Sequence, residues 1–151
     1  MEVAAHRMEY SGGPVHTHLR LRNYSDRDFA VYRRIYNESF FEMRTALRRF
    51  PLECCDSREN LEKRRDNIFI LEIDGCFVGS VAIYDNEIDD LIVAKAFRRR
   101  GFGEALLQYA VSHLQSRGVS PIVLHVADWN QGAIKMYLKN GFSIVKTEIV
   151  P

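Results

Sequence analysis

No stretch of this 151-residue chain holds the roughly 18 consecutive apolar residues that a transmembrane helix requires, so no membrane segment is predicted. Neither sign of charge dominates, because 21 basic and 20 acidic residues leave a formal net charge of +1. The two signs interleave along the chain, and the sequence therefore predicts no nucleic-acid-binding surface. Internal repeats, linkers and low-complexity tracts are also absent, which favours one domain with its own core.

Cysteine is scarce as well. The three cysteines, Cys54, Cys55 and Cys76, lack the spacing of a metal site, and no secretory signal precedes them. They indicate a reducing compartment, so we expect a cytoplasmic protein that binds no metal.

The apolar pattern alternates between short strands and helices, which predicts a mixed α/β domain. It is expected to span residues 15–151, because residues 1–14 lack periodicity and are interpreted as a flexible N-terminal extension. Strands are predicted at about residues 15–22, 68–73, 76–84, 87–94, 121–126 and 142–150. Helices are predicted after Ser25, over about 45–65, over 104–117 and from Asn130, whose side chain can cap the last of them. The helix over 104–117 carries an apolar stripe at helical spacing, namely Leu106, Leu107, Ala110, Val111 and Leu114. Asp74-Gly75 predicts a tight hairpin, and the segment 40–43 is either core or the wall of a substrate cleft.

Residues 91–103 carry the strongest functional signal. A short apolar strand runs into three consecutive arginines and then into Gly101-Phe102-Gly103, which opens a helical pattern. The first N–H groups of a helix have no partner within it, and the helix dipole places partial positive charge there. The sequence therefore predicts a seat for a phosphate or pyrophosphate, with a tight turn beside a solvated arginine run as the alternative.

Two motifs then stand in order on the chain. The first is Arg98-x-x-Gly101-x-Gly103, and the second is Asn130-x-x-Ala133-x-x-x-Tyr137-x-x-x-Gly141-Phe142. Together they resemble the GCN5-related N-acetyltransferase (GNAT) superfamily, whose members use acetyl-coenzyme A. The resemblance implies a mixed sheet flanked by helices that splays open between the strand at 87–94 and the strand at 121–126, with the cofactor in the gap.

The resemblance also implies which residues hold the cofactor. Its pantetheine arm is expected against the backbone of Leu91, Ile92 and Val93, with Asn130 adding a hydrogen bond. Arg98 begins the pyrophosphate motif. The pyrophosphate is expected on the amides of Arg99, Arg100, Gly101, Phe102, Gly103 and Glu104.

Acetyl transfer to an amine needs a group that protonates the departing thiolate and a group that takes the proton of the amine. The resemblance places Tyr137 next to the cofactor sulfur, and a phenol that stays protonated at neutral pH suits the first role. Three candidates remain for the base, in the order His125, Glu87 and Asp89. A histidine is favoured because it changes protonation near neutral pH.

The end of the chain departs from the family. Only one strand fits after Phe142, whereas the family usually closes with two. Three alternatives stay open: the sheet lacks its final strand, a second subunit of a homodimer supplies it, or the chain is shortened. The predicted function is transfer of the acetyl group of acetyl-CoA to a primary amine of a small molecule or peptide. The alternative is a non-catalytic acetyl-CoA-binding module.

Overall fold

The computed structural model describes residues 2–47 and 55–150. Within them, strands β1 to β7 span Val3–Tyr10, Arg22–Asn23, Ile68–Ile73, Cys76–Tyr84, Glu87–Val93, Val123–Ala127 and Phe142–Val150. Helices α1 to α4 span Phe29–Ala46, Arg58–Lys63, Phe102–Ser116 and Gln131–Lys139. Single 3-10 turns lie at Asp26–Asp28, Arg65–Asn67 and Lys95–Phe97.

The strands form one mixed sheet in the order β2-β3-β4-β5-β6-β1-β7, as the sequence predicts for an α/β domain. All neighbours are antiparallel except β5 and β6, which run parallel. The tight hairpin predicted at Asp74-Gly75 is confirmed, because it joins β3 to β4 and both residues have positive φ, at 51° and 78°.

The prediction of a flexible extension over residues 1–14 is wrong for most of that segment. Residues Val3–Tyr10 form β1, which lies inside the sheet between β6 and β7 and pairs with both. Polar residues mask the pattern of this strand. His6 is buried, and both of its ring nitrogens have polar partners: Nε2 lies 2.7 Å from Asp128 Oδ1 and Nδ1 lies 2.9 Å from Thr147 Oγ1. A buried, hydrogen-bonded histidine reads as polar in the sequence although it faces inward.

Only one strand, β7, begins at Phe142 or later, as the sequence predicts, and the second closing strand of the family is absent from the described residues. The position between β6 and β7 is filled by β1 of the same chain, so the sheet has seven strands among the described residues. The strand predicted at residues 15–22 is likewise absent, apart from the two-residue β2 at Arg22–Asn23. Its alternating apolar side chains, Val15, Leu19 and Leu21, pack on the core from an irregular segment instead.

The sheet carries a separate apolar cluster on each face. On one face α3 buries the stripe predicted by its spacing, namely Leu106, Leu107, Ala110, Val111 and Leu114. On the other face Tyr32 and Ile35 of α1 pack with Leu61 of α2 and with Ile68 and Ile70 of β3. The second predicted helical region, about residues 45–65, is in part α1 and in part α2, and residues 48–54 of it lie outside the described residues.

No helix in the described ranges has the length and apolar character needed to cross a membrane.

Candidate active site

Strands β5 and β6 separate soon after they begin. Their pairing is limited to Glu87 with Val123 and Ile88 with Leu124. Beyond these pairs the two strands line opposite sides of a cavity of about 250 Å³. The predicted splay of the sheet is therefore confirmed, and it leaves the edge of β5 from Asp89 onward facing an opening instead of a neighbouring strand.

A bulge in β5 shapes this opening. Ser80 of β4 pairs with Ile92 and Ala82 pairs with Asp89, so β5 holds one extra residue between the two pairs. Asp90 occupies the bulge with a φ of 46°, and its N–H donates to Asp89 Oδ1 over 2.8 Å. Consecutive residues of a regular strand point to opposite faces. Because of the bulge, Asp89 and Asp90 both line the cavity.

The surroundings of these two carboxyl groups disfavour their charged forms. Burial, helped by the charge of Asp89, raises the pKa of Asp90 to about 6, although the Tyr36 hydroxyl donates to Asp90 Oδ1 over 3.0 Å. Burial also raises the pKa of Asp89, against the opposing effect of the Asp90 N–H. A carboxyl group that titrates close to neutral pH in a cleft is a candidate for proton transfer.

His125 and Glu87 form a pair at the same opening. Glu87 Oε1 lies 2.7 Å from His125 Nδ1, and the His125 side chain is 50% exposed. His125 lines the cavity, while Glu87 is connected to it through the imidazole. Within residues 2–47 and 55–150 no hydrogen bond occupies His125 Nε2, so this nitrogen is available to a ligand. Two of the predicted base candidates are therefore one hydrogen-bonded unit.

Tyr137 lines the cavity from α4. Burial, with a smaller effect of the Asp89 charge, raises its pKa to about 12, so the phenol stays protonated at neutral pH. In the described part of the chain the Tyr137 hydroxyl has no hydrogen-bond partner. Asn130 is the N-cap of this helix, and its side chain accepts a hydrogen bond from Ala133 N over 3.2 Å, which confirms the predicted cap.

The predicted anion seat forms a second opening at the start of α3. Arg99 and Gly101 have positive φ, at 62° and 86°, and the first helical hydrogen bond runs from Ala105 N to Gly101 O over 3.1 Å. The N–H groups of Phe102, Gly103 and Glu104 therefore precede it without a helical acceptor. They border a groove of about 410 Å³ into which a Cβ on Gly103 would project, 3.7 Å from the side chains of Leu91 and Met136.

The side chains of the three arginines make different contacts. Arg98 and Arg99 line the groove, and Arg98 Nε donates to Val93 O over 3.1 Å, which ties it to the end of β5. The Arg100 guanidinium lies instead over two rings, 5.5 Å from the centroid of Phe97 and 5.7 Å from that of Phe102. Three consecutive arginines in the sequence suggest positive charge concentrated at one point, whereas the guanidinium of Arg100 lies over this ring pair.

The remaining residues that the sequence predicts to hold the cofactor lie on β5 and at the start of α3. Leu91 lines the cavity, Val93 lines the groove, and the side chain of Ile92 is buried in the core on the α1 side. The Glu104 carboxylate lies 3.3 Å from Lys139 Nζ. These contacts leave the roles assigned to the four residues as predictions.

Sequence reasoning missed Asp90, and it left open whether the segment 40–43 is core or cleft wall. Phe40 and Met43 of α1 line the cavity, so part of the segment 40–43 forms a wall of the cleft, whereas Phe41 is 49% exposed. Two adjacent aspartates in a predicted strand, Asp89-Asp90, were the available signal for the bulge. No cluster of three or more histidine, cysteine or acidic side chains able to hold a metal occurs among the described residues.

Comparison with known proteins decides the family. The profile of the acetyltransferase (GNAT) family matches residues 29–142. The chain belongs to the GNAT family. It is 33% identical over 93 residues to an uncharacterized N-acetyltransferase of Methanocaldococcus jannaschii, across 54% of this chain and 41% of that protein. The chain spans less than half the length of the first curated relatives that it matches.

Solved GNAT structures share the fold. A putative acetyltransferase of the family from Novosphingobium aromaticivorans has a TM-score of 0.72 at 16% identity, over 99% of this chain and 63% of that one. The PaiA N-acetyltransferase from Thermoplasma acidophilum, solved in complex with coenzyme A, has a TM-score of 0.64 at 18% identity, over 84% of this chain and 91% of that one.

Proposed function

We propose that this GNAT protein transfers the acetyl group of acetyl-CoA to a primary amine. The observation that carries the proposal is the gap between β5 and β6, where a protonated, unpartnered phenol and carboxyl groups of raised pKa line one cavity. The groove at the start of α3 lies further along the same strand, β5, and offers free N–H groups to a pyrophosphate. Coenzyme A bound to a GNAT relative supports this cofactor class.

When bound, acetyl-CoA supplies the thioester whose acetyl group passes to the amine nitrogen as the carbon–sulfur bond breaks. Tyr137 donates its phenolic proton to the departing thiolate, since its pKa near 12 keeps that proton in place at neutral pH. Leu91 and Val93 hold the pantetheine arm on the unpaired edge of β5, and the amides at the start of α3 hold the pyrophosphate.

For the proton lost by the amine we propose Asp90 as the acceptor. A base works best when its pKa lies near the working pH, and the pKa of about 6 places Asp90 there. The bulge directs its carboxyl group into the cavity, beside the apolar walls at Phe40 and Met43. The His125–Glu87 pair at the more exposed side is the alternative base that the sequence predicted.

The acceptor amine is a small molecule or a peptide, and the cavity does not distinguish them. The adjacent carboxyl groups Asp89 and Asp90 suit an amine that arrives as a cation. The cytoplasmic location expected from the cysteines remains a prediction.

The first experiment is a calorimetric titration of the protein with acetyl-CoA, followed by thiol release in the presence of a panel of amines and peptides. We expect saturable binding and release with one class of acceptor. Binding without release from any acceptor would favour the non-catalytic module, and no binding would overturn the assignment of the groove.

Gly103→Leu tests whether the cofactor binds in this groove, because a side chain at this position would fill the groove between Leu91 and Met136. We expect this variant to lose acetyl-CoA binding while keeping the melting temperature of the unaltered protein within a few degrees. Retained binding would place the cofactor elsewhere.

A further inference from the structure

Tyr36 of α1 reaches the bulge of β5. Its hydroxyl donates to Asp90 Oδ1 over 3.0 Å, although the two residues lie on different elements and 54 positions apart in the chain. Asp90 has a φ of 46°, a conformation that a residue with a side chain keeps only where its surroundings hold it. The contact from α1 therefore fastens the side chain of a strained residue from outside its own strand.

The ring of Tyr36 is itself fixed by packing. Its centroid lies 4.7 Å from that of Phe40 and 5.9 Å from that of Tyr32, which is buried in the apolar cluster on this face of the sheet. Tyr36 shares a side of α1 with Phe40 and Met43, since the three follow one another at helical spacing, and the latter two line the cavity. The position of the hydroxyl is thus set by how α1 packs on the sheet.

The two oxygens of the Asp90 carboxyl group have different surroundings. Oδ1 accepts the hydrogen bond of Tyr36, whereas no hydrogen bond within residues 2–47 and 55–150 reaches Oδ2. An ionised carboxylate accepts through both of its oxygens, so Oδ2 keeps its capacity to accept a proton. Because Asp90 lines the cavity, Oδ2 is the oxygen that remains available to a ligand there.

The Asp90 carboxyl group has several charged and titratable neighbours. They come from each element around it, namely Tyr36 on α1, Asp56 and Arg64 beside the two ends of α2, Tyr84 on β4, Asp89 on β5 and His125 on β6 across the cavity. Arg64 is engaged elsewhere, since its Nη1 donates to Tyr84 Oη over 3.0 Å. Burial and the charge of Asp89 raise the pKa of Asp90, and the Tyr36 hydroxyl lowers it by direct contact.

We propose that Tyr36 is a positioning residue, whose hydrogen bond directs Asp90 Oδ2 toward the acceptor amine. This inference rests on the proposed function, in which Asp90 takes the proton of the amine. One proton passes from the amine nitrogen to Oδ2, which neutralises the carboxylate, and Tyr36 keeps its own proton throughout. The hydroxyl that stabilises the charged carboxylate belongs to α1, so the strength of the base follows the packing of α1 on β5.

The first measurement needs no turnover. The carboxyl carbon of Asp90 is followed by carbon NMR titration in the unaltered protein and in Tyr36→Phe, with its signal assigned by the absence of that signal in Asp90→Asn. We expect Tyr36→Phe to raise the pKa of Asp90 by about one pH unit, because the hydrogen bond favours the charged form. An unchanged pKa would overturn the proposal, whether or not Asp90 is the base.

The second measurement is the pH dependence of thiol release. In Tyr36→Phe the fall in rate on the acidic side should move to higher pH by the same amount, and the plateau rate should decrease about tenfold with an unchanged Kd for acetyl-CoA. Added to Asp90→Asn, Tyr36→Phe should lower the rate by less than about twofold, because the two residues act as one unit. A full further decrease in that background would contradict the positioning role.

The two measurements together separate this proposal from the proposed function. A raised pKa of Asp90 with an unmoved fall in rate would show that another group is the base. That result would overturn the positioning role through the proposed function, while the contact between Tyr36 and Asp90 would stand.

Tyr24→Phe is the matched control. Tyr24 belongs to the same apolar cluster, with its ring centroid 5.6 Å from that of Tyr32, and among the described residues its buried hydroxyl has no hydrogen-bond partner. This variant removes one hydroxyl from the cluster without touching Asp90, and it should keep both the pKa of Asp90 and the pH dependence of the rate. An equal change in Tyr24→Phe would trace the effect to loosened packing and would overturn the role of Tyr36.

Discussion

The two openings along β5 are built in different ways. The groove at the start of α3 is lined mainly by one continuous segment, residues 93–104. Arg99 and Gly101 set the conformation of this segment, and its last backbone N–H groups have no helical acceptor. The cavity near Asp90 is lined by residues from β1, α1, β5, β6 and α4, which are distant in sequence. A site made of backbone groups tolerates changes of side chain, whereas a site made of side chains depends on each of them.

The largest effect is expected at Tyr137, where Tyr137→Phe removes only the proton donor. Thiol release should fall by about 10²–10³-fold, the usual contribution of a general acid, with little change in the Kd for acetyl-CoA. Tyr109→Phe, which removes a partly buried hydroxyl on α3 outside both openings, serves as the control and should keep full activity. Loss of acetyl-CoA affinity in Tyr137→Phe would instead mark the hydroxyl as a binding group.

The next effect is expected at Asp90. Asp90→Asn should lower turnover by about 10–100-fold. It should also remove the fall in rate that we expect for the unaltered protein below about pH 6, where Asp90 becomes protonated. His125→Gln tests the alternative base. If Asp90 is the base, this variant should keep the fall in rate below about pH 6. An unchanged profile in Asp90→Asn together with a lost limb in His125→Gln would assign the base to His125.

Asp90→Asn should also change stability in the opposite direction to activity. The pKa of Asp90 is raised on folding, so its contribution to the free energy of unfolding is greatest below the usual carboxyl range and is lost as the pH rises through about 6. At pH 7 the neutral amide should therefore raise the free energy of unfolding by on the order of 1–3 kcal/mol. Urea unfolding at pH 4 and pH 7 measures this, and the gain should shrink at the lower pH.

A smaller effect is expected where the backbone forms the groove. Gly101→Ala strains a residue with a φ of 86° and should weaken acetyl-CoA binding about tenfold, with turnover at saturation unchanged. Gly118→Ala is a matched control, because Gly118 also has positive φ, at 69°, with open space around it, but lies at the far end of α3. Equal loss of affinity in the two variants would show a general loss of stability instead.

The smallest effects are expected from the arginine side chains. Arg98→Ala and Arg99→Ala should each weaken acetyl-CoA binding by about three- to tenfold, more at low salt, because both line the groove. Arg100→Ala should change it by less than about twofold, since that guanidinium stacks on Phe97 and Phe102. A titration at two salt concentrations compares them, and a large effect at Arg100 would reverse the distinction.

Features encoded by neighbouring residues were predictable from the sequence. The hairpin at Asp74-Gly75, the buried stripe of α3 and the cap at Asn130 each depend on a few positions close together, and each is confirmed. The turn at residues 98–103 belongs to the same class, because glycine at a positive φ and free helical N–H groups are local properties.

Tertiary structure decided what depends on distant partners. The placement of β1 between β6 and β7 requires His6 to meet Asp128 and Thr147, which no local pattern shows. The direction of Asp90 depends on a bulge whose register is set by β4, and its raised pKa depends on burial behind α1. The sequence by itself thus determined the family and the backbone groove, since both rest on short-range conformation. The residues gathered at the cavity come from five separate elements, and only their packing brings them together.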